Sequence, residues 1–286
     1  VEEVSVSYGS FNRSKAHLLT SRQRGDLTVD LFGYLDMDDG DDYRVLDPFV
    51  SNRIGTDDPR DLAGLNLKLQ WQNSQLNFQH NQFKAANFYE LDGLSNGFNE
   101  RTGSLSSISV KQSFNGQVIS SYVWFSHTRS KLNISGQLTA PSALTAISSP
   151  ASSDALFASV DFDDNTETRL LWHNDWHINP QRSLQFGIEL RHIYSPETIT
   201  KNNFDLGDLA NGNIPIRYYG SLLATTTVQK ESRRDIAGLY GQYQHQLFDT
   251  THLTLGLRHD EFSNIGSQLS PRFGLVHVLN DHHSLK

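Results

Sequence analysis

The sequence has no cysteine among its 286 residues, so no disulfide framework and no thiolate metal site can exist in it. Long apolar runs are missing too. Only 37% of the residues are hydrophobic, the mean hydropathy is negative, and no stretch approaches the roughly 20 apolar residues of a transmembrane helix. That shortage leaves one membrane crossing open, because a β-barrel strand needs only about 9–11 residues, half of them facing water. Positive charge is in the minority: 24 Lys and Arg against 32 Asp and Glu give a net charge of −8. The basic residues form no cluster, which argues against a nucleic-acid partner. There is no Gly-x-Ser-x-Gly elbow, no Walker loop, and no Gly-x-Gly-x-x-Gly placed between a strand and a helix. None of these residues reads as a secretory leader. The chain opens on a strand without Met, and residues 281–286 read as the start of another strand, so both ends are expected to be cuts in a longer polypeptide.

What the sequence does contain is alternation. Leu253, Leu255, Leu257 and His259 fall on one face of an extended segment; Thr254, Gly256, Arg258 and Asp260 fall on the other. Leu239, Tyr243 and Leu247 oppose Gln242, Gln244 and Gln246 in the same way, and Phe273, Leu275 and Leu279 continue the pattern. A period of two marks strands with unlike faces. Strands are expected over residues 1–11, 15–23, 26–36, 61–72, 75–89, 103–114, 117–131, 166–178, 182–194, 233–248, 252–262 and 269–279. That makes about twelve, most of them near the length that crosses an outer membrane at a tilt.

The connections sort into two classes. Short turns are expected at 24–25, 73–74, 115–116, 179–181, 249–251 and 280–283, with longer links at 37–60, 90–102, 132–165 and 196–232. Links 12–14 and 263–268 belong to the second class but are short to moderate. The two classes alternate after the first hairpin. Outer-membrane barrels are built this way, with short periplasmic turns and long extracellular loops. A soluble sandwich has no reason to place every long loop at one end. The reading is therefore an all-β, antiparallel, meandering transmembrane β-barrel.

The rows fit that reading. Leu65, Leu67, Leu69 and Trp71 alternate with Asn66, Lys68 and Gln70; Leu184, Phe186, Ile188 and Leu190 alternate with Gln185, Gly187, Glu189 and Arg191. Lys68, Glu189, Arg191, Arg258 and Asp260 then face a wet lumen. Tyr8, Phe11, Phe88, Tyr89, Trp172, Trp176 and Phe262 gather near strand ends, as interfacial girdles do. The stretch 118–125 is apolar on both faces, and alternation alone does not assign its outward side. Residues 141–153, rich in Ser, Ala and Pro, read as flexible. The link 199–220 carries Asn, Gly, Asp and the pair Tyr218-Tyr219, and long loops on a scaffold are where binding usually sits.

Metal chemistry is weak on spacing. The acidic run 36–42 has its glycine, Gly40, in the fifth place from Asp36, whereas an EF-hand needs glycine sixth. That run and 161–164 read as solvated acidic loops. His173 and His177 lie on one strand face about 13 Å apart, too far to share an ion, and His282-His283 falls in a turn. No metal site, no cofactor and no catalytic residue is expected.

Two strings carry a family resemblance. Gly256-Leu257-Arg258-His259-Asp260 is followed by Ser270-Pro271-Arg272-Phe273-Gly274. The pair resembles the Gly-Leu-Arg-Tyr-Asp strand and the Ser-Pro-Arg-x-Gly strand opening of TonB-dependent outer-membrane receptors, with His259 where Tyr is usual. Val4-Ser5-Val6-Ser7-Tyr8-Gly9-Ser10-Phe11 is similar to the family's first barrel strand. The resemblance spans the chain. It implies that residues 1–286 are part of a barrel of about 22 strands around a plugged lumen, with the plug and the C-terminal strands lying outside them. It implies residence in the bacterial outer membrane and uptake of a scarce extracellular ligand, such as a ferric siderophore, a cobalamin or an oligosaccharide. The partners implied are the lipid bilayer, that ligand, and the TonB complex, reached through parts not in this chain. Ligand contacts diverge among receptors, so none is carried over. A sheet with two open edges is not expected to fold stably in lipid on its own; a heat-resistant barrel formed by this segment alone would contradict that.

Three rivals share parts of the pattern. A complete small barrel acting as a hydrolase needs a Ser/His or Asp/His set on adjacent strands at one rim. A passive porin or adhesin needs only the barrel. A soluble β-rich binding protein would not partition into detergent.

Overall fold

The computed structural model describes residues 2–41, 43–46, 53–87, 98–139, 141–142, 145–280 and 283–285. Twelve long antiparallel strands follow one another in sequence order. They are β1 (Glu2–Tyr8), β2 (Ser14–Arg24), β3 (Leu27–Asp38), β6 (Arg60–Trp71), β7 (Ser74–Ala86), β8 (Glu100–Asn115), β9 (Ile119–Gln137), β11 (Phe157–Asn179), β12 (Arg182–Ser195), β15 (Ser232–Phe248), β16 (Thr251–Phe262) and β17 (Gly266–Asn280). Each pairs with the next in that order, and a stub, β18 (His283–Leu285), follows β17. The order is open: among the described residues no pairing joins β1 to β17 or β18.

The smaller elements sit in the long links. A hairpin, β4 (Tyr43–Leu46) and β5 (Arg53–Thr56), lies between β3 and β6. The two-residue β10 (Ser148–Ser149) lies between β9 and β11. Between β12 and β15 come β13 (Thr198–Phe204), helix α1 (Leu206–Asn211) and β14 (Ile216–Gln229). All the long links leave from one end of the wall, together with the short links 9–13 and 263–265, and only turns of two or three residues occupy the other.

The expected strands are present, with shifted bounds. β9 and β11 run several residues further towards the loop end than alternation suggested. They stay paired past an irregularity between Phe162 and Asn165, so that Phe157 still opposes Gln137. The expected girdle pair Phe88 and Tyr89 lies outside the described residues, as do Asp42, Asp281 and His282.

The register sorts the side chains. Leu27, Val29 and Leu31 oppose Trp71, Leu69 and Leu67 on one face, while Thr28, Asp30 and Phe32 oppose Gln70, Lys68 and Asn66 on the other. Followed strand by strand, the apolar face takes Val110, Phe125, Leu170, Leu190, Leu239 and Leu257. The polar face takes Lys68, Glu189, Arg191, Arg258 and Asp260, as the sequence implied. The ambiguous stretch resolves: Ile119, Val123 and Phe125 are on the apolar face, Tyr122 and Trp124 on the polar one. Trp71, Phe114 and Trp176 mark the turn end of the apolar face, and Trp71 is 58% exposed. Large apolar side chains left open in an ordered row are what a lipid-facing surface requires.

The packed apolar core is not in the wall. Leu156, Phe204 and Ile216 are buried together, with Ile147, Leu206 and Tyr218 against them. These residues come from the links 138–156 and 196–231. The segment read as flexible is therefore partly ordered. Its β10 pairs in parallel with β14, Ile216 donates to the Ile147 carbonyl at 2.7 Å, and β13 pairs with the loop end of β11. Sequence composition missed this because the partners that hold it are almost 70 residues away, as Ser148 and Ile216 are.

Candidate functional site

Two features face away from lipid: the polar face of the wall and the cap on its loop end. On the polar face, cross-strand rows are the unit of organisation. Tyr122, His173, Gly187, Tyr240 and Arg258 are successive register partners across β9, β11, β12, β15 and β16. Gly187 makes this row possible. A Cβ there would stand 2.6 Å from the Tyr240 hydroxyl and 2.3 Å from the Trp172 carbonyl oxygen. With the space open, Tyr240 crosses β12 and hydrogen-bonds His173 Nδ1 at 2.6 Å. His173 stacks on Tyr122 with ring centroids 5.0 Å apart, and its Nε2 lies 3.0 Å from Asp175. Lys111 sits 4.2 Å above the Tyr122 ring.

The next row towards the loops holds charge. Glu189 is only 5% exposed and accepts from Arg258 Nη2 at 2.8 Å. It also pairs with Arg169, whose guanidinium lies over Trp124. Arg258 in turn grips Asp260 at 2.7 to 3.0 Å. Gly238 makes the room here, since a Cβ would meet Asp260 Oδ1 at 2.6 Å and Arg258 Nη2 at 2.8 Å. Beside this cluster Arg191 holds Glu167 through two hydrogen bonds of 3.1 and 3.2 Å. Buried charges need such pairing, because leaving one unpartnered is strongly destabilising.

A third row runs below. Gln185 donates to Asp175 at 2.9 Å, Gln242 to Gln185 at 3.2 Å, and Arg272 to Gln242 at 3.4 Å across Gly256. The polar face therefore presents fixed donors, acceptors and aromatic rings rather than mobile charges.

The cap is held by its own polar set. Asp205 is the N-cap of α1 and accepts from the Asp208 amide at 2.9 Å, and Gly212 closes the helix in the left-handed region at φ 66°. Tyr219 donates to Asp205 at 2.9 Å, and Arg217 pairs with Asp205 and Asp208. The Asp208 amide, then Tyr219 and Arg217, hold the Asp205 carboxyl below the usual carboxylate range. The Arg217 guanidinium does the same for Asp208. Asn203 bridges the two links, accepting from the Phe157 amide at 2.8 Å and donating to the Ala155 carbonyl at 2.9 Å.

The pattern of residues 5–286 matches the family described as TonB dependent receptor-like, beta-barrel. The chain belongs to this family. Its wall is similar to solved receptor barrels. One is the siderophore receptor PirA from Acinetobacter baumannii, 16% identical, with a TM-score of 0.52 over 97% of this chain and 40% of that one. Another is FpvAI in its complex with pyocin S2, 13% identical, with a TM-score of 0.62 over 98% and 41%. A third is BauA, the ferric preacinetobactin receptor from Acinetobacter baumannii, 11% identical, with a TM-score of 0.57 over 98% and 45%. At these identities the likeness is one of fold. The chain spans about two fifths of the length of these receptors. No curated protein sequence matches it. In a receptor barrel the apolar face meets lipid and the polar face lines the lumen, so the three rows above are lumen wall.

The other residues singled out from sequence have structural partners. Asp36 and Asp38 are held by Arg13 at 3.0 and 3.6 Å, and Asp36 also by Lys15 at 3.2 Å. Asp161, Asp163 and Asp164 meet Lys201, Lys131 and Arg129. His173 is part of the lumen row rather than a partner of His177. Ser/His and Asp/His neighbours of the kind a hydrolase needs do occur on the lipid face: His80 with Ser106 at 2.8 Å and His192 with Asp235 at 2.6 Å. Each is a pair, whereas acyl transfer needs nucleophile, base, orienter and oxyanion donors together. Sequence reasoning missed Tyr122, Trp124 and Tyr240. The available signal was an aromatic residue in a polar row, with glycine as the cross-strand neighbour of Tyr240.

Proposed function

We propose that this chain forms part of the barrel of an outer-membrane receptor that imports a scarce ligand too large for a porin, with energy delivered through TonB. The ligand class is a ferric siderophore, a cobalamin or a molecule of similar size. Residues 1–286 form one partial barrel domain, and the plug that closes the lumen and the remaining strands belong to other parts of the protein.

The observation that carries this reading is the two-faced wall with its ordered lumen rows beneath a packed loop cap, in a chain of this family. A passive pore needs a wet interior. It does not need a buried Glu189 held by two arginines, or an aromatic ladder built over a glycine. Solved barrels of similar fold include receptors named for ferric enterobactin and a copper transporter, which fits uptake of metal-bearing cargo. No catalytic step is part of the proposal.

The test is growth and uptake in a host carrying the full gene. Deletion should abolish uptake of one iron or cobalt complex under limitation, and removal of TonB from the intact strain should do the same. Uptake that continues without TonB would replace this reading with a passive pore.

A further inference from the structure

One part of the lumen wall breaks its polar pattern. Leu62, Phe83, Gly103, Leu132 and Phe162 are successive register partners on β6, β7, β8, β9 and β11. All lie on the polar face, so this is an apolar row where water is otherwise expected. Leu62, Phe83 and Leu132 are 36 to 40% exposed, as is Leu105 in the row beneath. The arrangement is built, not incidental. Phe83 lies over Gly103, where a Cβ would stand 2.3 Å from its ring. Tyr34 lies over Gly64 in the same fashion and reaches Asn81 at 3.3 Å. The result is a groove of about 520 Å³ lined by Tyr34, Leu62, Phe83, Leu105 and Leu132, with Asn81, Ser130 and Asn165 as polar groups in its floor. That is the size and composition of a small-molecule site.

Charge completes the picture. The next row towards the loops carries Arg60, directly opposite Ala85, about 7 Å further along the strands. Asp38, the register partner of Arg60, is already engaged by Arg13. Apolar wall below and guanidinium above match a ligand with an apolar tail and an anionic head.

We propose that this groove is a lumen subsite for the acyl or aromatic tail of an anionic amphiphile, met by the ligand on its way inward from the loop end. The assignment rests on the transport reading above and narrows its substrate class. The rows described above on β11, β12, β15 and β16 offer mainly charge and hydrogen bonds. An acyl tail gains about 0.8 kcal/mol for each methylene buried, so tail length is the variable to probe.

The experiment uses the full receptor in lipid nanodiscs with dodecanoate and hexanoate as probes, measured by titration calorimetry. Dodecanoate should bind at least tenfold more tightly than hexanoate. The double substitution Leu62→Asn and Leu132→Asn, which places polar groups on a wall already facing water, should remove that preference. Arg60→Gln should weaken both probes alike. Equal binding of the two chain lengths by the unaltered receptor, or an unchanged preference in the double variant, overturns the subsite. As a second arm, a photo-crosslinking residue at Phe83 should capture the dodecanoyl probe. Capture of the receptor's own plug instead assigns the patch to plug packing and overturns it too. TonB-dependent uptake that persists while the preference fails sinks the subsite alone. Dodecanoate selectivity with no TonB-dependent uptake sinks the transport reading and leaves the subsite standing.

Discussion

The Tyr240 hydroxyl lies 2.6 Å from His173 Nδ1 although β12 runs between their strands. The bond exists because the intervening residue, Gly187, has no side chain. Valine at that position would press on the Trp172 carbonyl, a backbone atom that cannot rotate away. Gly187→Val is expected to lower barrel stability by about 1–3 kcal/mol, the usual range for overpacking. Gly241→Ala should change it by less than about 0.5 kcal/mol, because the nearest atom to its Cβ is 4.0 Å away. Thermal melting of the detergent-solubilised receptor distinguishes the two.

Glu189→Gln removes the shared carboxylate of Arg169 and Arg258. Both guanidinium groups are about one third exposed, so water softens the loss. A cost of about 1–3 kcal/mol is expected. Adding Arg169→Gln should cost less than the two single changes summed, which a double-mutant cycle on denaturant unfolding reads directly. Strict additivity would show that the three groups do not act as a unit.

The faces themselves can be tested one residue apart. Leu67→Arg puts a cation on the lipid side, near the middle of β6, where about 2–4 kcal/mol is lost. Asn66→Arg puts the same group in the lumen and should be tolerated. Folding yield into vesicles, read by heat-modifiable gel mobility, should fall only for the first. The reverse outcome would invert the assignment of inside and outside.

Acid should loosen the cap. Asp205 and Asp208 have carboxyls held below the ordinary range, by the Asp208 amide and by Arg217 respectively. A depressed folded value means the contribution is complete at neutral pH. It declines as pH falls below about 4 and on through the lower folded values. The chain has no cysteine, so Leu209→Cys on α1 accepts a single nitroxide within it. Its spectrum should show ordered motion at pH 7 and faster motion near pH 3, while a label on β8 stays unchanged. Mobility that does not depend on pH would show that the aspartate set does not hold the cap.

Most of the wall was legible in the sequence because alternation is a local signal. Leu253, Leu255 and Leu257 declare their face without any knowledge of their neighbours. The rows were not legible. That Tyr122, His173 and Tyr240 meet depends on the register of four strands, and a slip of one residue in any of them would turn its side chains to the other face. The cap was hidden for a different reason. Phe204 and Leu156 belong to links that look polar in composition, and a handful of buried apolar residues among Ser, Asn and Gly leaves no periodic trace. The apolar patch at Leu62, Phe83 and Leu132 was visible only as three exceptions on separate strands. Their shared row emerges once Gly103 is seen to stand between two of them.

The wall is one residue thick, and its interior is supplied from outside. Leu67 and Leu257 find their apolar company in acyl chains; Leu62 and Phe83, both exposed on the other face, find theirs in whatever fills the lumen. Such a sheet has no private reserve of cohesion, so its melting point is a property of the bilayer and lumen contents as much as of the polypeptide. Thinning the membrane or emptying the lumen should therefore act on it as point mutations act on the core of a soluble domain.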